Sequence, residues 1–297
     1  MNNECVAELA GVSKRFGKTV ALDALSLEIP SGELFAVLGP NGAGKSTAIS
    51  IMLGLRQPDS GTARLFGESP LRVESRRQVG VMMQEVSLAA ELRVREQIAL
   101  ARSYYPDSLS VDEVLKVTHT APIANRPYGK LSAGQKRQAQ FAVAVCGRPK
   151  LLFLDEPTVG LDVQAREMMW ATLQKLVEDG ASIVLTTHYL EEAEALADRV
   201  AVLAHGRVIA SGTVDEIRAN VLRKRITCLS SLNAEQVLSW PGVESATSDQ
   251  QRLSITASDA EEIVRRLLAA DLNLRELEVR RAGLSEAFAE LTQEVLQ

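Results

Sequence analysis

GELFAVLGPNGAGKSTAISIMLGL, residues 32–55, decides the fold. Its first nine residues form an apolar run of strand length that ends in a glycine-rich turn, and KSTAISIMLGL (45–55) continues as a helix. Gly39, Gly42, Gly44, Lys45 and Ser46 fill the pattern G-x-x-x-x-G-K-S/T in the strand, loop, helix setting that pattern requires. The glycines let backbone amides curl around phosphate groups without Cβ clashes, and the helix that starts at Lys45 turns its positive end toward them. Lys45 is placed to reach the β- and γ-phosphates, and the Ser46 hydroxyl can ligate Mg²⁺.

Outward from this loop, the chain alternates strands and helices. Residues 6–30 are short and alternating, punctuated by Gly11 and Gly17 and followed by Gly32, and read as antiparallel strands. Residues 90–145 are mostly helical, interrupted by YYPDSLS (104–110) and APIANRPYGK (121–130). LLFLDEP (151–157) is an apolar strand ending in Asp155 and Glu156, a helix is expected over 162–178, and ASIVLTTH (181–188) is another buried strand. The alternation predicts an α/β fold with a largely parallel central sheet, into which the helical stretch is inserted. Acids at the carboxyl end of such a strand sit where open α/β sheets bind ligands. Asp155 is then placed to hold Mg²⁺ through its water shell, and Glu156 to orient and deprotonate an attacking water.

KLSAGQKRQ (130–138) raises a separate question, because it is a second element suited to an anion. Ser132 is a helix N-cap, and its hydroxyl lies at the positive helix end beside the Gly134 amide. A phosphate loop covers one side of a nucleotide only, and γ-phosphate hydrolysis requires the other side to be closed as well.

Composition narrows the function classes. The 297 residues are 46% apolar, enough for about two folded domains, and the formal charge of −5 argues against a basic nucleic-acid surface. No apolar run approaches the roughly 18–20 residues that cross a bilayer. The N-terminal MNNECVAELA lacks the features of a secretory signal, so export is not expected. Cys5, Cys146 and Cys228 are far apart and read as reduced thiols rather than a disulfide or metal framework.

Six elements occur together in order: GPNGAGKST (39–47), Gln84 in VGVMMQE (79–85), LSAGQ (131–135), LLFLDEP, VGLD (159–162) and TTH ending at His188. In this the chain resembles the ATP-binding-cassette (ABC) ATPases over roughly residues 5–217. The resemblance implies a P-loop NTPase cassette over 1–220, with a parallel core sheet, an antiparallel β subdomain and a helical subdomain at about 88–145. It implies ATP and Mg²⁺ as cofactors, with Pro40, Asn41, Ala43 and Thr47 completing the phosphate loop. Gln84 would join Ser46 and Asp155 at the metal and sense the attacking water, His188 would contact the γ-phosphate, and Asp162 would sit at a subunit contact. Phe16, in KRFG (14–17), matches the aromatic on which adenine stacks.

By the same resemblance Ser132, Ala133, Gly134 and Gln135 come from a second subunit, so that two chains head to tail enclose two ATP molecules. The partner would be a second copy or a paralogous ATPase. Separate transmembrane permease subunits would dock on the helical insert near Gln84 and hold the chain at the cytoplasmic face of the membrane. GLDVQAREMMW (160–170), the run from Thr186 to Thr213 and LSEAFAELT (284–292) resemble the ATPases of ABC-2 type exporters. A second class of cassette ATPases acts on DNA or ribosomes, with two cassettes in one chain or a long coiled-coil insertion. This chain has neither.

Residues 221–297 change in texture. ITCLSSL (226–232), VESATS (243–248), RLSITA (252–257) and LRELEVRRA (274–282) read as strands. NAEQVLSW (233–240), SDAEEIVRRLLAADL (258–272) and SEAFAELTQEVL (285–296) read as helices, the second capped by Ser258 and Asp259. The order βαββαβ with a final helix predicts a small α+β, ferredoxin-like C-terminal domain.

Overall fold

A computed structural model of the chain describes residues 5–84, 86–219, 224–249 and 252–281, with residues 284 and 288. It divides into two units, Met1–Thr213 and Val214–Gln297, so the change of unit falls ahead of the 220/221 boundary expected from texture.

The first unit opens with two twelve-residue antiparallel strands, β1 (Cys5–Phe16) and β2 (Thr19–Pro30). β3 (Leu34–Leu38) follows, buried at all five positions, and runs through the glycine-rich loop into α1 (Lys45–Met52). β4 (Ser60–Leu65) returns to pair with β1, giving a three-stranded antiparallel sheet in the order β2-β1-β4. After the single turn α2 (Val73–Arg76), β5 (Val79–Met82) enters the central sheet. The helical insert comprises α3 (Val94–Arg102), α4 (Val111–Val117) and α5 (Ala133–Val145), with 3-10 turns at Ala121–Ile123 and Tyr128–Lys130.

β6 (Leu151–Asp155), α6 (Val163–Glu178), β7 (Ser182–Thr186), α7 (Leu190–Leu196), β8 (Arg199–Ala204) and β9 (Arg207–Thr213) complete the unit. The central sheet has six strands in the order β5-β6-β7-β3-β8-β9, parallel except for the edge strand β9. The carboxyl ends of β6 and β3 therefore flank that of β7, which brings residues distant in sequence to one edge.

Strand alternation distributes the core. Phe35, Val37, Phe153 and Val184 face the antiparallel sheet and α1, packing with Leu9, Val12, Leu22, Ile49 and Met52. Leu34, Leu152, Leu154, Ile183 and Leu185 face the other way, onto Met169 and Leu173 of α6 and Phe141 and Val145 of α5. Because both faces are covered, β3, β6 and β7 are continuous apolar runs rather than alternating ones. The insert has its own core of Val94, Ile98, Val114, Ile123, Tyr128 and Leu131, closed by Ala139 and Ala142 of α5 and by Cys146 just past its end.

The second unit begins with α8 (Val214–Ala219) and continues through β10 (Lys224–Leu229), α9 (Ala234–Leu238), β11 (Val243–Asp249), β12 (Arg252–Ala257), α10 (Ala260–Ala270) and β13 (Arg275–Arg281). From β10 onward the order is βαββαβ, and the antiparallel sheet runs β11-β12-β10-β13, the strand order of a ferredoxin-like sandwich. Ala260, Ile263 and Leu267 recur at helical spacing and bury α10 against Ile226, Cys228, Leu253 and Ile255. Asp259 caps this helix through the Glu262 amide at 3.0 Å. The expected final helix at 285–296 lies outside the described residues.

Asp271, just past α10, ties the helix end to β10. Its Oδ2 accepts from the Ser231 amide at 2.8 Å and the Ser230 hydroxyl at 2.7 Å, and its Oδ1 from the Asn273 amide at 2.9 Å. The Ser231 amide, then the Ser230 hydroxyl and the Asn273 amide, stabilise the ionised form and hold this carboxyl at about 2. A folded-state value below the unfolded one contributes stability that is complete above about pH 4 and lost as pH falls through about 2. Asp271→Asn is expected to flatten that acid limb when unfolding of the second unit is followed by circular dichroism. An unchanged limb would remove Asp271 from the account.

Candidate functional site

The loop after β3 folds over the start of α1. Gly44 is the helix N-cap at φ 105°, and a Cβ there would meet the Ala21 carbonyl oxygen at 2.6 Å. Gly39 is held as tightly, since its Cβ would stand 2.4 Å from the Leu203 carbonyl oxygen. Both positions exclude any side chain. No side chain caps α1, so the amides of its first turn are left for an anion. The Lys45 ammonium lies buried within the loop, donating to the Gly39 carbonyl at 2.7 Å and the Pro40 carbonyl at 3.1 Å. Burial lowers its pKa, and the charges of Glu156 and Asp155 oppose that shift.

Asp155 closes β6 and is 3% exposed. Its Oδ2 accepts from the Ser46 hydroxyl at 3.3 Å, and its Oδ1 accepts from the Thr186 hydroxyl at the end of the neighbouring strand β7. The Ser46 hydroxyl and the Asp155 carboxylate thus lie side by side at the loop, and the Gln84 side chain lines a cleft with both. An all-oxygen set of this kind suits a hard divalent cation such as Mg²⁺.

Glu156 leaves the strand with φ 50°, in the left-handed region that disfavours side chains with a Cβ. Its amide is anchored to the Thr186 carbonyl at 3.0 Å and to the Thr186 hydroxyl at 3.3 Å. The strained backbone aims the carboxylate between two polar side chains. His188 Nδ1 lies 3.2 Å from Oε1, and the Gln84 amide donates to Oε2 at 3.4 Å. A cleft of ≈ 760 Å³ joins Gly39, Pro40, Asn41, Gly42, Ala43, Gly44, Lys45, Ser46 and Thr47 to Gln84, Glu156 and His188, with Thr19 and Ala21 on its wall. That volume accommodates a nucleotide-sized ligand.

Other expected site residues lie elsewhere. Phe16, 42% exposed at the end of β1, lines an adjoining cleft together with Ser46, Thr47, Arg56 and Gln84, and the Arg56 guanidinium stands 5.2 Å from its ring centroid. Ser132, Ala133, Gly134 and Gln135 are absent from the lining of both clefts. Ser132 caps α5 reciprocally with Gln135, each side chain accepting from the other's amide at 3.2 Å, and Arg126 donates to Gln135 Oε1 at 3.0 Å. Ala133 is the first residue of α5 and is exposed. Asp162 caps α6 through the Ala165 amide at 2.8 Å. Thr186 and Arg126 went unread in the sequence. A hydroxyl in TTH, one strand over from the acids, was the available signal for the first; no local pattern marked the second.

The chain is similar to known proteins in sequence and in fold. A family model described as ABC transporter covers residues 22–159, and one described as ATP-binding protein DrrA1-3-like, C-terminal domain, covers residues 212–292. The chain is 36% identical to the Nod factor export ATP-binding protein I of Rhizobium sp. (strain N33), over 96% of each chain. It is 37% identical to the daunorubicin/doxorubicin resistance ATP-binding protein of Streptomyces peucetius, over 96% of this chain and 92% of that one. Among solved structures, the ATP-binding subunit of an ABC transporter superposes with a TM-score of 0.67 at 29% identity, over 72% of this chain and 92% of the other. A dimeric bacterial ABC transporter cassette gives 0.64 at 27% identity, over 70% and 98%.

Proposed function

The chain belongs to the family of ABC transporter ATP-binding proteins, and from that membership we propose how its residues perform the work of an exporter ATPase. It is the ATP-hydrolysing subunit of an exporter-type ABC transporter, and it acts as a dimer. The observation that carries the mechanism is the placement of Glu156, held in a strained conformation between His188 and Gln84 at the mouth of the phosphate-loop cleft.

ATP enters with its phosphates against the amides of residues 42–47. Lys45 exchanges its bonds to the Gly39 and Pro40 carbonyls for bonds to phosphate oxygens, which offset the burial of its charge. Phe16 offers its exposed ring face to adenine. Ser46, Asp155 and Gln84 would hold Mg²⁺, which supplies charge neutralisation on the β- and γ-phosphate oxygens. Glu156 takes a proton from a water that Gln84 orients, and that water attacks the γ-phosphorus as the bond to the β-phosphate oxygen breaks, releasing ADP and phosphate. His188, tied to Glu156 through Nδ1, keeps Nε2 for the γ-phosphate.

The second side of the phosphate is closed by another copy. Ser132, Ala133, Gly134 and Gln135 stand at the positive end of α5, away from the cleft lining of their own chain, as a composite site between head-to-tail copies requires. Asp162, at the start of α6, would sit at that contact. Among the described residues no helix is long and apolar enough to cross a membrane. We therefore assign the transmembrane path and cargo recognition to separate permease subunits, with this chain peripheral on the cytoplasmic face. A DNA- or ribosome-linked role is not favoured, since the relatives reported above are named for export and drug resistance.

Turnover per chain is expected to rise steeply with chain concentration and then level off, while ATP affinity is already full at the lowest concentrations. Parallel sedimentation and phosphate-release measurements check this. Full turnover where sedimentation finds monomer alone would sink the composite site.

A further inference from the structure

Behind the catalytic edge, α6 and α7 are joined by one polar contact that the mechanism above leaves unused. The Trp170 indole N–H donates to Glu192 Oε1 at 3.1 Å, and the Arg166 guanidinium stands 5.4 Å from the Trp170 ring centroid. Glu192 is 1% exposed, and its Oε2 has no hydrogen-bond partner; Arg166 Nε is likewise buried without one. Burying a carboxylate with half its acceptor capacity unused is costly, and an apolar pair would fasten two helices at least as firmly. What the polar bond adds is direction, because it is made only at one orientation of the two helices.

Both ends of this brace lead to the site. β6 and β7 are adjacent parallel strands, with Asp155 opposite Thr186. β6 leads through Glu156 to Asp162 and α6; β7 leads to His188 and α7. Glu192 lies in the first turn of α7, one turn beyond His188, and Arg166 and Trp170 lie one and two turns beyond the Asp162 cap. α7 is only seven residues long and buries just Glu192, Ala193 and Leu196, so Glu192 is the one polar side chain among its buried anchors.

We propose that the Trp170–Glu192 brace is a positioning element for hydrolysis, fixing His188 against Glu156 and tying it to the helix that Asp162 caps. This rests on the reading of Glu156 and His188 given above. Displacement of the Asp162 segment by a second copy reaches His188 through the brace rather than through the nucleotide.

The test uses the full chain and three variants. Trp170→Phe keeps an apolar ring and removes the donor; Glu192→Leu removes the acceptor and fills the same volume; Glu192→Gln keeps an acceptor oxygen. Trp170→Phe and Glu192→Leu are each expected to lower kcat about tenfold, as a displaced catalytic group would. ATP affinity should stay within about twofold, and the Trp170→Phe/Glu192→Leu pair should be no slower than the slower single variant. Glu192→Gln should stay within about threefold of the parent. His188→Ala should cost less in the Trp170→Phe background than in the parent, which a packing defect alone would not produce. If kcat for Trp170→Phe and Glu192→Leu stays within about twofold of the parent, or falls only in step with ATP affinity, the brace is not a positioning element. A parent chain that neither binds nor hydrolyses ATP would instead overturn the functional reading itself.

Discussion

Replacing Glu156 with Gln lowers ATP turnover by about a thousandfold and leaves ATP binding in place. The amide has the carboxylate's shape and can keep contacts to His188 and Gln84, which lie 3.2 and 3.4 Å from the two carboxylate oxygens. It cannot accept the proton that the attacking water must lose. The φ of 50° at this position strains glutamine as it does glutamate, so the backbone has no new reason to move. Lys45 loses one of the two negative charges that support its ammonium, but Asp155 remains. Phosphate release and equilibrium ATP binding, measured on the same preparation, separate the two effects. A Glu156→Gln chain that keeps more than about a tenth of the parent rate would place the base elsewhere.

Gly134→Asp is the second large effect, and it acts on the opposite side of the nucleotide. A Cβ at Gly134 would meet the Gly160 carbonyl oxygen at 2.9 Å, so the α5 start and the VGLD segment must give way even before charge is considered. The new carboxylate also sits in the first turn of α5, where the composite site proposed above receives a phosphate. Turnover should fall by at least about a hundredfold, with ATP binding to the chain's own phosphate loop unaffected. The sharper result comes from mixing. A dimer of one Glu156→Gln chain and one Gly134→Asp chain has one site with both defects and one site with neither. Random pairing makes half the dimers mixed, each with one intact site, so the mixture should recover about a quarter of the parent activity. Two inactive preparations that stay inactive when mixed, with exchange of chains demonstrated, would mean that both residues serve one chain's site.

The parts of the fold legible in the sequence are those fixed by local chemistry. β3, β6 and β7 announced themselves as apolar runs because both faces of their sheet are covered, and the phosphate loop because two of its glycines sit where backbone carbonyls leave no room for a Cβ. Ser132 read as a cap and is one, since an N-cap bond spans only three residues. Asp162 carried a family role in the sequence, yet its own chain also uses it to cap α6. Thr186, Trp170 and Glu192 stayed silent for a different reason. Each acts across a boundary between neighbouring strands or helices, and periodicity tells which face of α6 is apolar without telling which helix lies beside it. Phe16 was found by position, but its ring lines a cleft beside the phosphate loop rather than the loop's own.

α5 belongs to two cores at once. Phe141, Ala144 and Val145 face the central sheet, while Ala139, Ala142 and Cys146 close the helical insert. A thirteen-residue helix is about 20 Å long; its second half packs into both cores, and its start is held by Arg126 on Gln135 and lies against the Gly160 carbonyl. Two cores therefore share one beam, so shrinking Phe141 would loosen the central sheet's hold on the same helix that closes the insert.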